Sequence, residues 1–190
     1  MLAALSAAAI LVVVIVAARV LNVGDASTGD DVNGDKSSLS SMAKAANCSV
    51  REHPDEGAEH TTRRISYGTN PPTSGDHAPE PAQDGIYEPG NEPSPEALVH
   101  TLEHGRVVIQ YRPGIAEDRR LALEELVAEP VKGSPGYHTV LVQNNTEMRP
   151  ALAATTWTRA ITCAGADEPS LDAVRAFRGR FVDQAPELVP

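Results

Sequence analysis

The chain has 190 residues, with 26 acidic against 16 basic side chains and a formal net charge of −10. That length suits one domain plus an anchor. No basic stripe is present, which excludes nucleic-acid binding, because phosphate contact needs clustered Lys and Arg; an acidic surface suits solubility and attracts cations without selecting one.

Residues 1–18 carry no charge and are nearly all Ala, Val, Leu and Ile; Arg19 interrupts the run, and apolar character returns through Val23. About 20 apolar residues span a bilayer, and an Arg near the end reaches the interface along its own stem. A cleaved signal peptide needs a basic leader and a small-x-small cleavage site. No Lys or Arg precedes the run, and Ala17-Ala18-Arg19 is a poor cleavage site. Residues 1–23 are therefore expected to form one uncleaved transmembrane helix, a single pass of the cell membrane, with the remainder outside the cytoplasm. Met1 falls directly into the apolar run, so a basic leader upstream of it is a further expectation. Residues 24–46 are Gly, Asp, Ser, Asn and Ala with few large apolar residues, and read as a flexible spacer. The folded domain is expected over residues 47–190.

Two cysteines, Cys48 and Cys163, bracket that domain. An even number after a membrane segment fits one disulfide in an oxidising compartment. Closing so long a loop stabilises a fold by ~4 kcal/mol in the chain-entropy model.

Within the domain, Arg63 to Tyr67 reads as a short strand, and 68–93 is a long loop rich in Pro and Gly, of the kind that often carries function in a compact domain. Ser94-Pro95 marks a helix start, with Ser94 as N-cap and Pro95 in the first turn; Gly105 supplies the left-handed residue that ends it. Val107 to Tyr111 is a buried strand pattern, Glu117 to Ala128 an amphipathic helix with Leu121, Leu123, Leu126 and Val127 as core candidates, and Thr139 to Gln143 a second strand. Leu152 to Thr162 includes a third, with Trp157, and Ser170 to Val182 forms a last helix. The order β-α-β-α-β-β-α argues for a layered α/β sandwich and is also that of a thioredoxin-like core. Ser134-Pro135 falls where that fold places a cis-proline, but the chain lacks its CxxC.

The chemistry concentrates in His100-Thr-Leu-Glu103-His104-Gly105. Histidines four apart share one helix face, and imidazole is the commonest side-chain metal ligand. Leu98, Val99 and Leu102 form the apolar stripe, so His100 and His104 face either solvent or a polar cleft against the proline-rich loop. The cleft is favoured because His77 sits in that loop, after the stiff turn Pro71-Pro72-Thr73-Ser74-Gly75-Asp76. His77, His100 and His104, with His60 as a fourth, make a candidate site for one transition metal ion, zinc or copper. Glu103 has three readings: an acceptor that orients a ligand histidine, a base on metal-bound water, or a helix-surface charge with no role. Thr73 and Ser74 beside the histidines are read as turn hydroxyls rather than nucleophiles.

The segments Asn70-Pro-Pro-Thr-Ser-Gly-Asp-His77, Gly85-Ile-Tyr87, Val99-His-Thr-Leu-Glu-His-Gly105 and Val107-Val-Ile-Gln-Tyr111 resemble a bacterial family known as domain of unknown function 3105, frequent in actinobacteria. The resemblance covers most of 48–162. It implies a single-pass anchored extracytoplasmic domain and no established activity. His60, His77, His100, Glu103 and His104 match positions of the family pattern, while Asp76 and His138 depart from it.

The functional expectation is a membrane-anchored, extracytoplasmic domain with a histidine-rich transition-metal site and a protein partner that the sequence does not name. The alternative is a non-enzymatic interaction or structural domain whose histidines order the proline-rich loop. His100 to His104 also spells the H-x-x-E-H of inverzincin metallopeptidases, in which the glutamate activates zinc-bound water. Those enzymes need a long helix and a downstream carboxylate ligand in a larger domain, so a metal-dependent hydrolase ranks below both.

Overall fold

The structure, a computed structural model, describes residues 32–187 and residue 189. The elements are α1 (Val32–Ala45), β1 (Cys48–Glu52), β2 (Gly85–Ile86), α2 (Pro95–Glu103), β3 (Val107–Tyr111), α3 (Glu117–Ala128), β4 (Pro130–Val131), β5 (Ser134–Pro135), β6 (Thr139–Gln143), β7 (Leu152–Thr156), β8 (Arg159–Cys163) and α4 (Glu168–Phe181). Six strands form one mixed sheet in the order β1-β8-β7-β3-β6-β2, and β4 and β5 pair separately. β3 runs parallel to β6 and antiparallel to β7, β2 adds parallel to β6, and β7, β8 and β1 continue antiparallel.

β3 is central because all five of its residues are buried, the mark of a strand covered on both faces. Side chains alternate across a strand. Val107, Ile109 and Tyr111 join one apolar cluster with α1, α3 and α4, while Val108 joins a second with Leu98, Val99 and Leu102 of α2 and with Trp157. Helices thus lie on both faces of the sheet, and α2 has the second face with the proline-rich loop.

Most predicted elements stand at the expected places, and the exceptions have identifiable causes. The span read as spacer contains α1, so the fold begins before Asn47. Its sequence is weakly helix-forming, yet Leu39, Ala43 and Ala46 recur at helical spacing and dock into the main core. Arg63 to Tyr67 is not a strand; Ile65 N–H donates to the Glu96 carboxylate and Gly68 N–H to that of Glu56 instead of to a neighbouring strand. The single strand expected over 152–162 is the hairpin β7-β8, turned at Trp157-Thr158 with Thr158 at φ 60°. Leu121 is 45% exposed and leaves the predicted core. The cis X-Pro bond is Asn70–Pro71 rather than Ser134–Pro135.

Two long-range contacts hold the first face. Buried Arg178 of α4 donates from Nη1 to the Leu126 carbonyl at 2.6 Å, capping the end of α3, which has no basic residue in its own last turn. Cys48 and Cys163 are disulfide-bonded, opposite each other in the β1-β8 register with Cα atoms 4.1 Å apart. The anchor expected over residues 1–23 lies outside the described residues; among those described, no helix is long and apolar enough to cross a membrane.

Candidate metal centre

α2 forms as its sequence dictates. The Ser94 side chain accepts from Ala97 N–H at 3.1 Å, Pro95 occupies the first turn, and Gly105 at φ 83° ends the helix. Its polar side is covered as completely as its apolar one. Residues 78–82 run along it: Ala78 N–H donates to the Glu96 carbonyl, Ala82 N–H to the Ala97 carbonyl, and the Thr101 hydroxyl to the Ala82 carbonyl at 3.0 Å. His100, Thr101 and Glu103 are consequently buried.

The loop delivers two more histidines. Segment 57–61 lies beside 75–77: Gly75 N–H donates to the Gly57 carbonyl, His77 N–H to that of Glu59, and Thr61 N–H to that of His77. This parallel bridge puts His60 and His77 side by side. Gly75 is required on two counts. Its φ is 124°, and a Cβ there would lie 2.9 Å from the Tyr67 ring. Ser74 is fully buried and bonds the backbone of Pro54 and Glu56, and Thr73 meets Thr69, so both hydroxyls serve the loop, as expected of a turn. Tyr67 and Tyr87 pack against the second apolar cluster, and Tyr111 lies in the first.

The ring centroids of His60, His77 and His100 are mutually 4.8–5.0 Å apart, and those of His100 and His104 are 4.4 Å apart. His77 Nδ1 contacts the Gly75 carbonyl at 2.8 Å and His100 Nδ1 the Ala78 carbonyl at 2.7 Å. A carbonyl only accepts, so both Nδ1 atoms carry protons, and in a neutral ring each Nε2 is then a bare lone pair. His77 Nε2 lies 3.0 Å from Glu103 Oε2, off the line a hydrogen bond needs, and this wholly buried atom has no hydrogen-bond partner. His100 Nε2 lies 3.0 Å from His104 Nε2, whose other polar neighbour is Glu187 Oε2 at 3.8 Å. Burial, with His77 and His60 beside it, holds His100 below the usual histidine range; burial, His100 and Arg106 do the same for His104. Both rings therefore favour the uncharged form that ligates metals.

His60, His77, His100 and Glu103 each offer one ligand atom, and these four lie within 4.8 Å of one another. Zinc–nitrogen bonds of 2.0–2.1 Å separate tetrahedral ligands by about 3.3–3.4 Å, so a modest contraction of the set closes it on an ion. The expected residues do converge, but with two changes of place. Glu103 stands among the candidate ligands instead of behind them, 5% exposed. His104 stands beside the set, in a second group with Glu103 and Glu187. Glu187 has no counterpart in the sequence reading. It lies in a short tail without periodicity, and long-range bonds bring it here, among them that from its N–H to the Glu103 carbonyl. Trp157 closes the site from the sheet side, its ring edge on to His77 and its N–H donating to Asp55. His138 lies outside both groups, bonded to Asp183. Asp76 accepts from Glu59 N–H and holds the loop.

No curated protein and no solved structure matches the chain. Residues 59–187 match the family model described as protein of unknown function DUF3105. That segment contains every residue of both candidate groups and Cys163, but neither α1 nor Cys48. The chain belongs to the DUF3105 family.

Proposed function

We propose that this chain is a membrane-anchored domain, held outside the cytoplasm by a transmembrane helix over residues 1–23, that binds a transition metal ion, zinc or copper, through His60, His77, His100 and Glu103. One observation carries the metal reading. The buried Nε2 of His77 faces a buried carboxylate with no aligned partner, while its Nδ1 proton is tied to a carbonyl. Two electron-rich atoms so placed call for a positive charge between them, and a set of three imidazoles and one carboxylate suits these ions. His100 is fixed by its carbonyl in the same way, as ligand histidines usually are. His60 is exposed and gives the ion its route to solvent. The Cys48–Cys163 disulfide supports an oxidising compartment. The unit β3-α3-β6 followed by the β7-β8 hairpin and α4 supports a thioredoxin-like core, although both cysteines are engaged in the disulfide, so no dithiol chemistry is carried over.

The carbonyl bonds of His77 and His100 also favour a second reading, in which these histidines fasten the loop to α2 and the domain serves as an interaction module. The deciding experiment is metal analysis of the full chain purified in detergent, after exposure to zinc or copper and dialysis. Stoichiometric metal in the wild type and its loss in His77→Gln supports the binding site. No retained metal in either protein leaves the interaction module.

A further inference from the structure

The second group, Glu103, His104 and Glu187, also has one ligand atom from each residue within 4.8 Å of the others, and it shares Glu103 with the first. The shared carboxylate is the unusual part. It is 5% exposed, and its one close polar side-chain neighbour among the described residues is the misaligned Nε2 of His77. A carboxylate has about four lone-pair sites, and a buried one is ordinarily met by several donors. Glu103 instead lies between two sets of candidate ligand atoms. On one side are His60, His77 and His100; on the other is His104, with the Glu187 carboxylate beyond it.

We propose that the centre is binuclear, with Glu103 bridging an inner and an outer ion. This rests on the metal reading above. One Glu103 oxygen joins the three histidines of the loop and helix; the other joins His104 and Glu187. The fold prepares both halves. Glu187 N–H donates to the Glu103 carbonyl at 3.1 Å and Asp183 N–H to the Gly105 carbonyl at 2.8 Å, so the tail is tied down at Glu187 and four residues before it. In the metal-free protein the short His100–His104 contact is satisfied by His104 Nε2–H donating to His100 Nε2, whose own proton is on Nδ1. Filling both positions requires the other tautomer of His104, with its proton on Nδ1, and leaves each Nε2 free for its own ion. Two ions about 3.5–4 Å apart and bridged by one carboxylate are the usual geometry of such centres. The inner position has two buried histidines and fills first. The outer one has three protein ligands, with the Glu187 side chain 62% exposed, and leaves coordination positions open to water or an anion.

The test is a copper(II) titration of the full chain in detergent, followed by equilibrium dialysis and electron paramagnetic resonance. The wild type is expected to retain two equivalents, and Glu187→Gln and His104→Gln one each. The second equivalent should attenuate the signal of the first through coupling across Glu103. Glu187 is exposed, so its variant does not put folding at risk and decides the matter if His104→Gln misfolds. One equivalent in the wild type, unchanged in Glu187→Gln, overturns the binuclear centre and leaves the single site standing. Two equivalents retained by Glu187→Gln, or a second equivalent without coupling, places the extra ion elsewhere and also overturns it. No retained copper in the wild type removes the metal reading itself.

Discussion

The two faces of the sheet are built on opposite principles although one strand serves both. On the face of α1, α3 and α4, Leu123, Leu126, Ile161, Leu171, Val174 and Phe177 are sealed from water and ask for no partner beyond close packing. On the face of α2, the buried set includes Thr73, Ser74, His77, His100, Thr101 and Glu103. There each polar atom needs a specific neighbour, and an unmatched charge costs several kcal/mol. The hydroxyls and both Nδ1 atoms find neighbours within the loop, whereas His77 Nε2 has only the misaligned Glu103 carboxylate beside it. The first face therefore supplies stability and the second holds chemistry on it. A polar site this dry persists because the other face is strong enough to carry it.

The comparison is broken most directly by emptying the apolar face. Phe177→Ala should lower the unfolding free energy by about 3–5 kcal/mol, read by urea denaturation, because a wholly buried ring leaves a cavity. Metal uptake by the molecules that remain folded should be unchanged; its loss would mean that the faces are not independent.

Metal addition sharpens the contrast from the other side. Zinc at a hundred times its dissociation constant should raise the wild-type unfolding free energy by about 2.7 kcal/mol, since it binds the folded state. Glu103→Gln should abolish that gain. The same change should stabilise the metal-free protein by about 1 kcal/mol, because a Gln amide can donate to the orphan His77 Nε2 where a carboxylate cannot. A metal-free Glu103→Gln protein several kcal/mol weaker than wild type would instead point to an imidazolium–carboxylate pair as the resident structure.

pH separates the faces as well. His100 and His104 are held below their ordinary value of 6.5 when folded, chiefly by burial, so the unfolded chain binds more protons than the folded one. Their contribution to stability is fully present above pH 6.5 and is lost as pH falls below it toward the folded values. Urea midpoints of the metal-free protein should therefore drop between pH 7.5 and 5.5, and His100→Phe should flatten that part of the profile. A flat wild-type profile would show that these rings stay accessible to protons.

The smallest effect concerns the helix that carries His100 and Glu103 and is capped by His104. Ser94→Ala removes the acceptor for Ala97 N–H and should cost about 1 kcal/mol. Thermal melts should show the loss, and metal stoichiometry should not change.

Much of this was legible in the residues alone. Ser94-Pro95 and Gly105 bound α2, because capping is local chemistry between residues a few positions apart. The spacing of His100 and His104 put them on one face, the apolar runs at 107–111 and 139–143 marked the central strands, and the bracketing cysteines announced their bridge. Helical and strand periods report which side of an element a residue occupies. They do not report what covers that side. Only the tertiary structure decided that Glu103 is buried against His77, that His60 stands inside the cluster, and that Glu187 reaches it from the chain's last residues. The same limit explains α1, whose polar, weakly helix-forming sequence is helical because Leu39 and Ala43 find a core built from residues far along the chain. Local interactions of a few residues settled most of the elements, though not α1; the return paths of long loops and tails, set by contacts across the whole fold, settled the site.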